Sequence, residues 1–166
     1  VAREKNQQRL DASLWSKEKG RAMRIRFERR YGFSAAHLYR RPEWSDEKNA
    51  RHFGKCAWEP GHGHNYRLWV VVLGEPDAET GFVVDLPGLD EVVRDRILEA
   101  LDHRHINHAV KEFAAGKWIP SSENLLRWIH GRLQGRLPGG VELVELRLYE
   151  DESLGASWRR EDQPAG

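Results

Sequence analysis

An α+β domain, an antiparallel sheet with two helices on one face, is the fold class that these 166 residues predict. Period-two alternation of apolar and charged residues marks two long strands early in the chain. Two helical stripes follow, and the alternation then returns near the C-terminus. The order is therefore strand, strand, helix, helix, strand, strand.

Each element has its own signal. In "MRIRFERRYGFSAAH" the residues Met23, Ile25, Phe27, Tyr31, Phe33 and Ala35 share one face, Arg24, Arg26, Glu28 and Arg30 share the other, and His37 continues the apolar row. In "HGHNYRLWVVVLG" the same test aligns His62, His64, Tyr66, Leu68, Val70 and Val72. Turn residues Pro76, Asp77 and Gly81 lead into a helix with Pro87 in its first turn and Leu89, Val92, Val93, Ile97, Ala100 and Leu101 at helical spacing. The second helix starts at Ser121 or Ser122 as N-cap, carries Leu125, Ile129 and Leu133 as its stripe, and stops at Pro138, Gly139 and Gly140. Val144, Leu146 and Leu148 then alternate with Glu145 and Arg147, and a short last strand is predicted over Ala156–Arg159.

Composition narrows the class of function. With 27 Lys and Arg against 26 Asp and Glu, the formal charge of +1 offers no basic excess for nucleic acid. No run approaches the roughly 18 apolar residues of a membrane span, and the first 22 residues lack the apolar core of a secretory signal. The single cysteine, Cys56, excludes an internal disulfide and suits a reducing compartment, so a cytoplasmic protein is expected. Residues 1–22 read as a polar extension, either a mobile tail or a segment packed on a neighbouring subunit. Residues 23–160 read as one domain and 161–166 as a tail.

The chemistry concentrates in "KCAWEPGHGHNY", residues 55–66. Histidines at i and i+2 of a strand project the same way about 7 Å apart, so His62 and His64 can reach one ion past Gly63. An isolated pair of this kind is equally a pair of packed imidazoles. His37, at the end of a matching strand face, weakens that alternative, because three neutral imidazoles with one open position are the pattern of catalytic zinc. A cupin-type site would need a nearby glutamate, and the first acidic residue after His64 is Glu75, beyond the strand. Cys56 is either a small buried hydrophobe or a reactive thiol. In "LDHRHIN", Asp102 can hold His103 in one tautomer and make it a proton shuttle; the alternative is a polar turn at a helix end. Glu150 shares the face of Val144, Leu146 and Leu148 and points inward, where a carboxylate needs donors. A ligand with two parallel N–H groups would satisfy it, and so would an internal arginine.

Together "FSAAH", "GKCAWEPGHGHNY", "TGFVVDL", "LDHRHIN", "PSSEN" and "LYED" resemble, in order and spacing, the 6-pyruvoyltetrahydropterin synthase and 6-carboxytetrahydropterin synthase family over about residues 23–159. The resemblance implies a tunnelling fold, in which ββααββ subunits join their sheets into a β-barrel trimer and two trimers stack as a homo-hexamer. It implies zinc (Zn2+) on His37, His62 and His64 and 7,8-dihydroneopterin triphosphate as substrate. Cys56 takes the place of the proton-abstracting thiol, which should favour the thiolate, and Asp102 with His103 that of a second acid/base pair. Glu150 matches the carboxylate that grips the pterin ring, with Ser121, Ser122 and Glu123 near the ring or its pocket.

Three features depart from the pattern or leave it open. Ile106 stands where leucine is usual, Ser121 and Ser122 stand where threonines are usual, and nothing before Met23 matches. His52, His105, His108 and His130 take no role. Five residues separate Cys56 from His62, the longer loop of the pyruvoyl enzymes. That favours elimination of triphosphate to 6-pyruvoyltetrahydropterin over the 6-carboxytetrahydropterin branch of queuosine synthesis, which also releases acetaldehyde. A pterin- or metal-binding paralogue without turnover is the remaining alternative, disfavoured by the presence of the complete residue set.

Overall fold

The computed structural model describes residues 23–164, so the extension expected over 1–22 lies outside the described residues. Strand β1 (Ile25–His37) pairs antiparallel with β2 (His62–Gly74), and β2 pairs antiparallel with β4 (Val141–Tyr149). Strand β5 (Gly155–Arg159) closes one side; β3 (Arg104–His105) adds two parallel pairs at Ala35 and Ala36 on the other. The order across the sheet is β3-β1-β2-β4-β5.

The helices cover one face. Helix α2 (Leu86–Val93) runs through a π-helical turn (Arg94–Leu98) into α3 (Glu99–Leu101), and Leu89, Val93, Ile97 and Leu101 are all fully buried. A short α4 (Ile106–Ala109) follows β3 and buries Ile106. Helix α5 (Ser122–Leu133) is capped by Ser121, whose side chain accepts from the Asn124 N–H, and its stripe Leu125, Ile129 and Leu133 is fully buried. These rows meet Phe33, Tyr66, Leu68, Val70, Val72, Leu146 and Leu148 from the sheet in one core. Burial of this many apolar side chains supplies the main driving force for the fold.

Two features differ from the sequence expectation. A helix, α1 (Asp46–Phe53), precedes a 3₁₀ turn (Gly54–Ala57) in the β1–β2 connection. Ser45 caps it, Asp46 and Glu47 occupy its positive end, and the buried Asn49 amide ties back to Arg41, Trp44 and Ser45. Strand β4 also carries a bulge: Val71 faces Glu145, but Val72 faces Leu143. The extra residue shifts the phase, so Leu143 joins the core cluster in place of Val144. Glu145 is buried on the opposite face beneath Arg26, Arg147 and Arg159, where it was expected to be open to solvent.

Candidate metal centre and active site

The β1–β2 register sets His37 directly opposite His62 and Ala35 opposite His64. Facing residues of an antiparallel pair put their side chains on the same side of the sheet, so three imidazoles arrive in one place. Their potential ligand atoms lie within 4.8 Å of one another. His37 Nε2 is 3.3 Å from His62 Nε2, and the ring centroids are 4.7 to 4.8 Å apart. Tyr66 Oη lies 2.9 Å from His37 Nδ1. In the tautomer that donates this Nδ1–H to the tyrosine oxygen, His37 Nε2 keeps its lone pair for an ion.

The donor set fits a divalent cation. His64 Nε2 is buried without a hydrogen-bond partner, a cost that a cation among the three rings would remove. Burial, and then repulsion from His64 and His62, pushes the His37 ionisation down from 6.5 to about 3. Burial also lowers that of His62. Ligating imidazoles must be neutral, and burial favours that form of His37 and His62.

Cys56 sits in the 3₁₀ turn with Sγ 4.0 Å from His62 Nε2. The thiolate expected beside zinc and a histidine is not favoured by the protein groups alone. Burial pushes the thiol up, and the Glu150 carboxylate adds to that shift. A thiolate beside Glu150 would need a counter-charge, which a cation on the three imidazoles would supply.

Glu150 follows β4 and is 5% exposed. Its Oε1 accepts from Ser122 Oγ at 2.7 Å and from Tyr39 Oη at 3.3 Å; Oε2 lies 3.8 Å from His64 Nε2. Among the described residues no arginine or lysine pairs with it, which counts against the internal-arginine alternative. Buried carboxylates are normally matched by a cation or several N–H donors. Among the described residues Glu150 has neither.

The remaining predicted residues stand apart from the cluster. Asp102 Oδ1 accepts from the Ser34 N–H at 2.9 Å and lies 3.0 Å from His103 Nδ1. The Ser34 N–H, with His103 in support, holds this carboxyl below its ordinary range. His103 adopts φ 55, a conformation rare without a glycine, and its side chain is 82% exposed. It shares with His64 a cavity of about 450 Å³ that is also lined by Ser34, Asn65 and His105. Ser122 points at Glu150, Ser121 is spent on the helix cap, and Glu123 lines a separate groove with Arg127 and His130. Tyr39 and Tyr66 were missed as site residues. The available signal was their spacing, each two residues from a histidine of the cluster on an alternating segment.

A helix-backed antiparallel sheet whose two long strands converge three imidazoles beside a thiol and an unpaired carboxylate defines an α+β domain with a candidate cation-dependent active site. Its relatives are consistent. The family model for 6-pyruvoyl tetrahydropterin synthase matches residues 26–161, and the chain belongs to that family. It is 39% identical over 134 residues to the 6-pyruvoyl tetrahydrobiopterin synthase of Pongo abelii, covering 81% of this chain and 90% of that one. It is 35% identical to the dihydroneopterin monophosphate aldolase of Pyrococcus furiosus, covering 80% and 96%. The solved structure of Caenorhabditis elegans 6-pyruvoyl tetrahydropterin synthase superposes with a TM-score of 0.75 at 30% identity, covering 84% and 97%. The fold is the tunnelling fold of these synthases.

Proposed function

We propose that the chain is a zinc-dependent pterin synthase that converts 7,8-dihydroneopterin triphosphate to 6-pyruvoyltetrahydropterin with elimination of triphosphate. The observation that carries this reading is the buried Glu150, unpaired by any arginine or lysine among the described residues, beside three converging imidazoles and a thiol in a chain of this family. His37, His62 and His64 would hold Zn2+, which when bound polarises the substrate's side-chain hydroxyls and acidifies the adjoining C–H bonds.

The chain's own residues have separate tasks. Glu150 accepts paired N–H donors of the pterin ring, with Ser122 fixing its other oxygen. Ser121 and Glu123 support the ring pocket through the first turn of α5, which carries Ser122. Cys56 accepts the carbon-bound proton. His103, held by Asp102, exchanges a second proton from the cavity that it shares with His64. The outer edges of β5 and of β1 before Ala35 pair with no strand among the described residues, which supports joining of sheets into a barrel trimer and a hexamer.

Identification of products tests the reading. The metal-loaded protein given the triphosphate should release inorganic triphosphate and form 6-pyruvoyltetrahydropterin. Formation of 6-carboxytetrahydropterin with acetaldehyde would move the chain to the other branch. The similarity to a dihydroneopterin monophosphate aldolase favours a second reading, in which the monophosphate is the substrate. Turnover of the monophosphate with none of the triphosphate would establish that reading instead.

A further inference from the structure

Tyr39 stands two residues past the last residue of β1 and touches His37, Cys56 and Glu150. Its ring packs on the His37 ring with centroids 4.5 Å apart, and edge-on against Phe53 at 5.9 Å. Its backbone N–H donates to the Cys56 carbonyl at 2.8 Å, tying the end of β1 to the 3₁₀ turn that carries the thiol. Its hydroxyl donates to Glu150 Oε1 at 3.3 Å.

Glu150 shows what these contacts do. An ionised carboxylate accepts only, through two oxygens. Ser122 and Tyr39 approach the same oxygen, Oε1, from α5 and from the β1–α1 connection. Two donors fixed on separate elements hold one oxygen from two directions and so limit rotation of the carboxylate. Among the described residues, Oε2 has no donor closer than His64 Nε2 at 3.8 Å.

We infer that Tyr39 is a positioning residue for ligand recognition: with Ser122 it orients Glu150 so that Oε2 presents to a ligand bearing paired N–H donors, while its backbone holds the Cys56 turn against the same site. This rests on the reading of Glu150 as the anchor of the pterin ring. Orientation of this kind acts on selectivity, because an oriented carboxylate rejects a ligand that sets a carbonyl against it.

Tyr39→Phe removes the hydroxyl and keeps the ring packing and the backbone bond. Dissociation constants are measured on metal-loaded protein for a non-reactive pterin and for its 2-oxo analogue, which replaces one donor by a carbonyl. Wild type should prefer the pterin. In Tyr39→Phe the preference should fall about threefold to tenfold, as for loss of one hydrogen bond, with KM rising by a similar factor and kcat, metal content and Tm unchanged. Retention of the full preference by Tyr39→Phe would overturn the inference. So would equal weakening of both ligands together with a lower Tm, the mark of a purely structural residue. Equal affinity of wild type for the two ligands would instead remove the Glu150 reading itself.

Discussion

Two buried groups at the residue scale carry opposite tendencies, and each makes a measurable difference. His37 is fully buried and kept neutral, with its ionisation pushed down to about 3 against 6.5 in an open chain. Stability from this group is therefore present above about pH 6.5 and is lost as the pH falls towards 3, where the unfolded chain alone takes up the proton. Chelator-stripped protein should lose about 1.4 kcal/mol per pH unit from this residue between pH 6 and 4, and His37→Gln should flatten the profile by that amount. Parallel profiles would assign the acid lability elsewhere. Glu150 is buried and pairs with no arginine or lysine among the described residues. Its replacement by Gln should weaken pterin binding by about 1.5 to 3 kcal/mol, the worth of a charge-assisted hydrogen bond. Metal content should hold. A collapse of Tm with an unchanged KM would mean that the carboxylate serves the fold.

Among the elements, the β1–β2 hairpin and its connection decide whether the imidazoles meet. Gly61 has φ 94, and a Cβ there would lie 2.2 Å from the His37 carbonyl oxygen. Gly61→Ala should cost about 1 to 3 kcal/mol through strain at this position, and it should lower metal occupancy because the end of β1 must move. Full occupancy with an unchanged Tm would show that the close approach does not matter. The strands were legible because alternation is strict where one face is buried: Phe33, Ala35 and His37, like Tyr66, Leu68 and Val70, fall where the pattern puts them. The bulge at Val144 went unread, although the adjacent Leu143 and Val144 between Glu142 and Glu145 break the alternation. Helix α1 was legible in principle from Ser45, Asp46, Glu47 and the closing Gly54, but its mean apolarity is low and no stripe announces it. Tyr39 escaped because its partners, Cys56, Phe53 and Glu150, are distant in sequence and meet only through the fold.

For the whole molecule, the edges of β1 and β5 that pair with no strand among the described residues bear on assembly. Light scattering should give a mass near six chains, with trimers as the dissociation product; a stable monomer with full activity would refute the joined-sheet proposal. The central claim is that Cys56, three histidines and Glu150 form one reaction centre. Its most direct test is triphosphate release from 7,8-dihydroneopterin triphosphate by metal-loaded wild type and by Cys56→Ala, with metal and pterin binding measured on the same samples. Release from the variant should be about 10²- to 10⁴-fold slower, the contribution of a positioned base, with metal and pterin still bound. Near-wild-type release by Cys56→Ala would contradict the claim and move the base to the Asp102 and His103 pair.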